Sequence, residues 1–105
     1  MNAIEQLEEL RTLESGWDGD GALPPKPELI DAATAVVVRI GKEPIRIVPK
    51  YDGNITIEWA SDAGYTVLRI DNPDVATLSY FTSAASPAIY SADFKLPLES
   101  TIRIL

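Results

Sequence analysis

The chain contains neither cysteine nor histidine, and these two absences narrow the chemistry open to its 105 residues. Without cysteine there is no disulfide framework, no thiolate metal site and no thiol nucleophile. Without histidine the chain lacks the side chain that most often serves as a general base or as a transition-metal ligand. A Ser-His-Asp hydrolase is therefore excluded. We predict no catalytic residue, no metal site and no cofactor.

Long apolar runs are absent as well. The longest, residues 35–38, is far shorter than the roughly 20 residues that a membrane-spanning helix needs. The opening residues also lack the basic region and apolar stretch of a secretory signal. With 46% hydrophobic and 24% charged residues, the composition is that of a globular chain rather than a disordered one. We therefore predict a single domain over residues 1–105 and a cytoplasmic location.

Basic residues are scarce in the first 31 positions, which contain only Arg11 and Lys26 against eight acids. This segment therefore carries six of the seven net negative charges of the chain. The negative electrostatic potential of this segment repels the phosphates of nucleic acids and membranes and attracts basic protein surfaces. We predict a basic protein as partner and no direct contact with nucleic acid or membrane. The predicted partner-binding residues are the eight acids, Glu5, Glu8, Glu9, Glu14, Asp18, Asp20, Glu28 and Asp31.

Apolar residues recur at helical spacing in two segments. Residues 3–13 present Ile4, Leu7 and Leu10 on one side, which indicates a short amphipathic helix. A second helix is predicted over residues 27–40, because Pro27 suits a first helical turn and Gly41 suits a left-handed C-cap. Between them, residues 14–27 contain three glycines and three prolines and are predicted to form a pinned loop.

After residue 44 the apolar residues alternate with polar ones, as in strands. In residues 55–59 the alternation places Ile55, Ile57 and Trp59 inward and Thr56 and Glu58 outward. We predict an α+β fold in which two N-terminal helices pack on an antiparallel β-meander of four to five strands. The predicted strands are 45–48, 55–59, 65–71, 75–82 and 88–96, and residues 98–105 fit either a strand or a helix.

The loop sequence Asp18-Gly19-Asp20-Gly21 has some features of a calcium-binding loop. In that type of loop, however, Ala22 would stand at the third ligand position and Leu29 at position twelve, where a glutamate is needed. We therefore predict turn chemistry and no specific cation here. Trp17 is predicted to be substantially buried and to anchor the loop, because its ring can cover a large apolar area.

The stretch from Trp17 to Pro24 fits the pattern W-[DN]-G-x-G-A-x-P, and residues 52–59 read DGNITIEW. In both features the chain resembles a group of small bacterial and phage proteins, over roughly residues 7–71. Some members of that group resemble genes of mobile elements and of defence or counter-defence neighbourhoods. The resemblance implies structural roles for Trp17, Gly19, Gly21 and Pro24 and supplies no catalytic residue.

Acidity and resemblance together favour a non-enzymatic inhibitor of a nucleic-acid-handling complex. Its concrete form is an anti-CRISPR-like DNA mimic, in which carboxylates take the place of phosphates against a CRISPR effector subunit. The alternative is an antitoxin or immunity protein that covers the active site of a toxin with the same acids. A metal-dependent enzyme built on carboxylates alone is the weakest of the three hypotheses. Both a monomer and a homodimer are compatible with the sequence.

Overall fold

Among the described residues, two helices precede five strands, and the strands form one antiparallel sheet in chain order. The computed structural model describes residues 2–61, 64–83 and 90–96. This arrangement confirms the predicted α+β fold with N-terminal helices and a meander. The elements are α1 (Ala3–Leu10), α2 (Pro27–Ile40), β1 (Arg46–Pro49), β2 (Ile55–Ser61), β3 (Gly64–Asn72), β4 (Val75–Phe81) and β5 (Tyr90–Lys95). Residues 84–89 and 98–105, which enter two of the predictions, lie outside the described part.

Helix α1 is shorter than predicted. It begins where the side-chain oxygen of Asn2 accepts a hydrogen bond from the backbone N–H of Glu5 at 2.9 Å, the usual N-cap contact. It ends at Leu10 rather than at residue 13. The N–H groups of Arg11 and Thr12 bond the carbonyls three residues back, at 3.1 and 3.0 Å. This tighter turn takes the chain out of the α-helix before Gly16.

Helix α2 has the bounds that were predicted from its terminal signals. Pro27 stands at its start, and Gly41 closes it in the left-handed region at φ 74°, donating to the carbonyl of Val37. One side of the helix is buried, formed by Leu29, Ile30, Ala33, Val36 and Val37. In the described part of the chain, no helix is long and apolar enough to cross a membrane.

The inner face of the sheet is the one that the helices cover. Ile55, Ile57 and Trp59 of β2 are fully buried there, as predicted. The register places Ile57 opposite Leu68 of β3, so apolar side chains continue across the strands. Helix α2 packs on β2 and β3, and α1 packs on β1 and on α2. The Trp59 ring is 1% exposed, and its Nε1 donates to the carbonyl of Lys42 at 2.9 Å, which ties the α2–β1 connection to the sheet.

The opposite face, here the outer face, carries polar cross-strand pairs alongside apolar side chains such as Val67 and Phe81. Thr56 lies on this face as predicted, but only 6% of it is exposed. Val48 and Arg69 flank it in register on the two neighbouring strands. Its hydroxyl oxygen has no hydrogen-bond partner within the described residues. Position in the middle of a sheet therefore buries a side chain that alternation alone places in solvent.

Replacing Trp59 tests how much the inner face depends on one ring. Trp59→Ala is expected to lower the free energy of unfolding by about 3–5 kcal/mol, because it leaves a large cavity. Trp59→Phe keeps most of the apolar volume and loses the bond to Lys42, for a smaller loss of about 1–2 kcal/mol. Urea denaturation followed by circular dichroism measures both. Equal losses in the two variants would contradict a role that depends on ring volume.

Candidate functional site

All eight predicted partner-binding acids are exposed, but they differ in what they contact. Arg11 lies between two of them. Its Nε is 3.0 Å from Glu8 and its Nη2 is 2.5 Å from Asp31, so it joins the end of α1 to α2. Hydrogen bonds to Glu8 and then to Asp31 raise the pKa of the Arg11 guanidinium. One base thus partly compensates two of the eight charges and fixes their position.

Asp18 has a local structural task. One carboxylate oxygen accepts hydrogen bonds from the backbone N–H groups of Asp20 at 2.8 Å and Ala22 at 3.0 Å. These two bonds lower the pKa of Asp18, because they favour its charged form. Across residues 2–61, 64–83 and 90–96, no three acidic side chains converge in a way that would hold a metal ion. Asp18 therefore organises the turn, and the expectation of no cation site stays a prediction.

The remaining five predicted acids form no ion pair with any other described residue. Charges of this kind are free to interact with an approaching partner, since no neighbouring base compensates them. They lie on α1, on the α1–α2 loop and at the first turn of α2. The five are Glu5, Glu9, Glu14, Asp20 and Glu28.

Trp17 is half-buried, so the prediction that its ring is substantially buried is only partly met. Its Nε1 donates to the carbonyl of Leu23 at 2.8 Å, and its backbone N–H donates to Glu14 at 3.0 Å. A further bond of 2.7 Å runs from the N–H of Gly16 to the carbonyl of Ala22. The ring thus holds the loop closed through a hydrogen bond across it, and part of its surface stays in solvent.

The α1–α2 loop packs against the turn between β1 and β2, and we call this contact the loop–hairpin junction. The N–H of Leu23 donates to the carbonyl of Tyr51 at 2.7 Å, and Leu23 also forms a parallel bridge with Asp52. Gly53 has φ 87°, and a Cβ atom there would lie 3.2 Å from the carbonyl oxygen of Pro24. The close approach of the two segments therefore favours a residue without a side chain at this position.

Two large apolar side chains at this junction are exposed, Leu23 at 52% and Tyr51 at 74%. Sequence reasoning did not select either as a binding residue. The pair Asp52-Gly53 is typical of a hairpin turn, and its position directly after Tyr51 is the one local indication that Tyr51 reaches solvent. Nothing in the spacing of residues 17–24 and 51–54 predicts that the two segments meet, because their contact depends on how α2 returns the chain to the sheet. Exposed apolar groups on a pinned loop beside acids are typical of protein contact sites.

Comparison with protein-family models, with curated proteins and with solved structures gives no match for this chain. The resemblance carried by Trp17–Pro24 therefore stays a prediction.

Gly53→Ala tests the junction, and Gly41→Ala is its matched control. Both glycines have positive φ, so alanine costs about 1 kcal/mol at either position. At Gly41 a Cβ atom has nothing within 4 Å, whereas at Gly53 it meets Pro24. Gly53→Ala is therefore expected to lose about 1 kcal/mol more in urea denaturation. Equal losses would show that the loop does not press on the hairpin.

The lowered pKa of Asp18 predicts a specific dependence of stability on pH. The folded state favours the charged form of Asp18, so this carboxylate stabilises the fold. Its contribution to the free energy of unfolding is complete above the ordinary aspartate pKa and is lost as the pH falls through the lower pKa of the folded state. In an NMR titration of the folded chain, Asp18 should titrate below 3.8. Asp18→Asn, which has no titrating charge, should lose less stability than the unmodified chain between about pH 5 and about pH 2. Titration at or above 3.8 would mean that the two bonds do not form in solution.

Proposed function

We propose that the chain is a non-enzymatic inhibitor that binds a basic surface of a nucleic-acid-handling protein. The observation that carries the proposal is the exposure of eight carboxylates within 31 residues, five of them without an ion pair in the described part. A protein that handles nucleic acid presents lysine and arginine side chains to the phosphates. Carboxylates held on folded elements compete with the phosphates for the same basic side chains. Occupation of that surface excludes the nucleic acid.

The acids contribute unequally to this proposed contact. Glu8, Asp18 and Asp31 are already bonded within the chain, so their charges are less available. Glu5 and Glu9 are exposed, one helical turn apart on α1, and unpaired among the described residues. Their field would speed association and make binding sensitive to salt.

The loop–hairpin junction supplies the apolar part of the proposed contact. Exposed charges give on-rate and specificity, while most binding energy in protein interfaces comes from a few buried aromatic and aliphatic side chains. Tyr51 and Leu23 are side chains of that kind. A backbone hydrogen bond joins these two residues, so less main-chain conformational entropy is lost when a partner covers them.

The partner class follows from the chemistry, and an anti-CRISPR-like DNA mimic is its most concrete form. An antitoxin that neutralises a basic nuclease toxin would use the same charges. Affinity capture followed by reconstitution with the purified partner distinguishes them, since a CRISPR effector subunit fits the first and a toxin fits the second. Turnover in the presence of Mg²⁺ would contradict the non-enzymatic part of the proposal.

Glu5→Lys combined with Glu9→Lys should weaken binding to the purified partner at least about tenfold, because the two new lysines would be repelled by the basic side chains of the partner. The control is Asp74→Lys, a reversal at the exposed turn between β3 and β4 that should change binding less than about twofold. Calorimetry at several salt concentrations measures both. Affinity of the unmodified chain should fall as salt rises.

A direct competition completes the test. Labelled duplex DNA bound to the purified partner should be released by the unmodified chain and retained in the presence of the Glu5→Lys/Glu9→Lys variant. Unchanged binding by this variant, or simultaneous binding of DNA and the chain, would contradict the proposal. The acids would then serve solubility alone.

A further inference from the structure

The outer face of the sheet contains an apolar depression that the helices do not cover. It has a volume of about 510 Å³ and is lined by Ile45, Arg46, Glu58, Tyr65, Val67 and Phe81. Ile45 is 57% exposed and Tyr65 is 38% exposed. Large apolar side chains that gather on one side of a small sheet, away from the core, are typical of a surface that another protein covers.

Within the described strands the charges of the outer face cancel, although the chain as a whole carries a net charge of −7. Three acids and three bases of β1–β5 lie on this face, five by the strand registers and Asp71 by its ion pair with Arg69. A second copy of the same chain is repelled wherever two acidic surfaces meet, and it is not repelled here. The six residues are Glu58, Asp71, Asp93, Arg46, Arg69 and Lys95.

Several polar side chains of the outer face are already paired across strands. Arg46 contacts Glu58 at 2.9 Å, and the hydroxyl of Thr77 donates to Asp93 at 2.7 Å. The hydroxyls of Ser79 and Ser91 lie 2.6 Å apart. Removal of water from such pairs leaves fewer unsatisfied groups than removal of water from isolated charges.

We propose that a second copy of this chain docks on the outer face and forms a symmetric homodimer. In a two-fold interface the same patch meets itself, so Arg46 of each copy can face Glu58 of the other around the apolar depression. Self-complementarity of charge and the exposed Ile45 and Tyr65 both favour this occupant over a strongly charged partner. The inference does not depend on the proposed inhibitory function.

Sedimentation over about a hundredfold range of protein concentration tests the proposal, because dimerisation follows mass action. The unmodified chain should reach twice its monomer mass. Tyr65→Asp should raise the dimer dissociation constant at least about tenfold, by placing an unpaired charge in the depression. Ile45→Asp, which lies before β1, should do the same without a change inside a strand. Circular dichroism verifies that each variant is folded.

Tyr51→Asp is the matched control, since it makes the same substitution at an exposed tyrosine at the other end of the β1–β2 hairpin. This variant should dimerise like the unmodified chain. Salt gives a second criterion, because screening of the net charge should strengthen the dimer while it weakens a contact made by the acids. A monomer at every concentration, or equal effects of Tyr51→Asp and Tyr65→Asp, would overturn the proposal. Neither result would bear on binding by Glu5 and Glu9.

Discussion

Burial of the inner face of the sheet is the constraint on which the rest of the molecule depends. A four- or five-stranded antiparallel sheet is stable when one apolar face is covered. Here α2 covers β2 and β3, and α1 extends the cover to β1. Both helices must therefore turn their apolar sides toward Ile57 and Trp59. Their other sides are left to solvent and carry five of the eight acids of the N-terminal third, while the other three lie on the α1–α2 loop.

The same constraint explains why the α1–α2 loop is closely bonded rather than loose. The loop carries the chain from the end of α1 to the start of α2 and also meets the β1–β2 turn. Asp18 satisfies two of its backbone N–H groups, and Leu23 joins it to Tyr51. These bonds fix the relative position of helices and hairpin. They also hold Leu23 and Tyr51 in solvent without the mobility of an ordinary surface loop.

Local signals in the sequence predicted most of the fold, because they act over a few residues. Pro27 and Gly41 gave the bounds of α2, and alternation gave the inward side chains of β2. The prediction was incomplete where contacts with distant segments of the chain determine the burial of a residue or the end of a helix. Thr56 is buried on a strand paired on both sides, the turn after Leu10 shortens α1, and Trp17 packs less deeply than its size suggested.

For the candidate site, the acidic composition predicted which residues belong to it but not which of them are paired within the chain. Only the tertiary structure shows that Arg11 bridges Glu8 and Asp31, since Arg11 and Asp31 are 20 positions apart in the sequence. The loop–hairpin junction was likewise beyond sequence reasoning, because α2 and β1 bring its two halves together. Leu23 and Tyr51 stay exposed at that contact, and apart from the Asp-Gly pair beside Tyr51 no local pattern predicts this exposure.

The two proposals place their surfaces on opposite layers of the molecule. The acids lie on the helical layer, while the apolar depression lies on the outer face of the sheet. In a dimer formed through the outer faces, the two helical layers point away from each other, so each copy keeps its acids accessible. Such an assembly is bivalent, and two weak, salt-sensitive contacts to one partner complex gain avidity that a single domain of this size lacks. In such a dimer, the neutral outer face would leave the acids of each copy free for the binding that we propose.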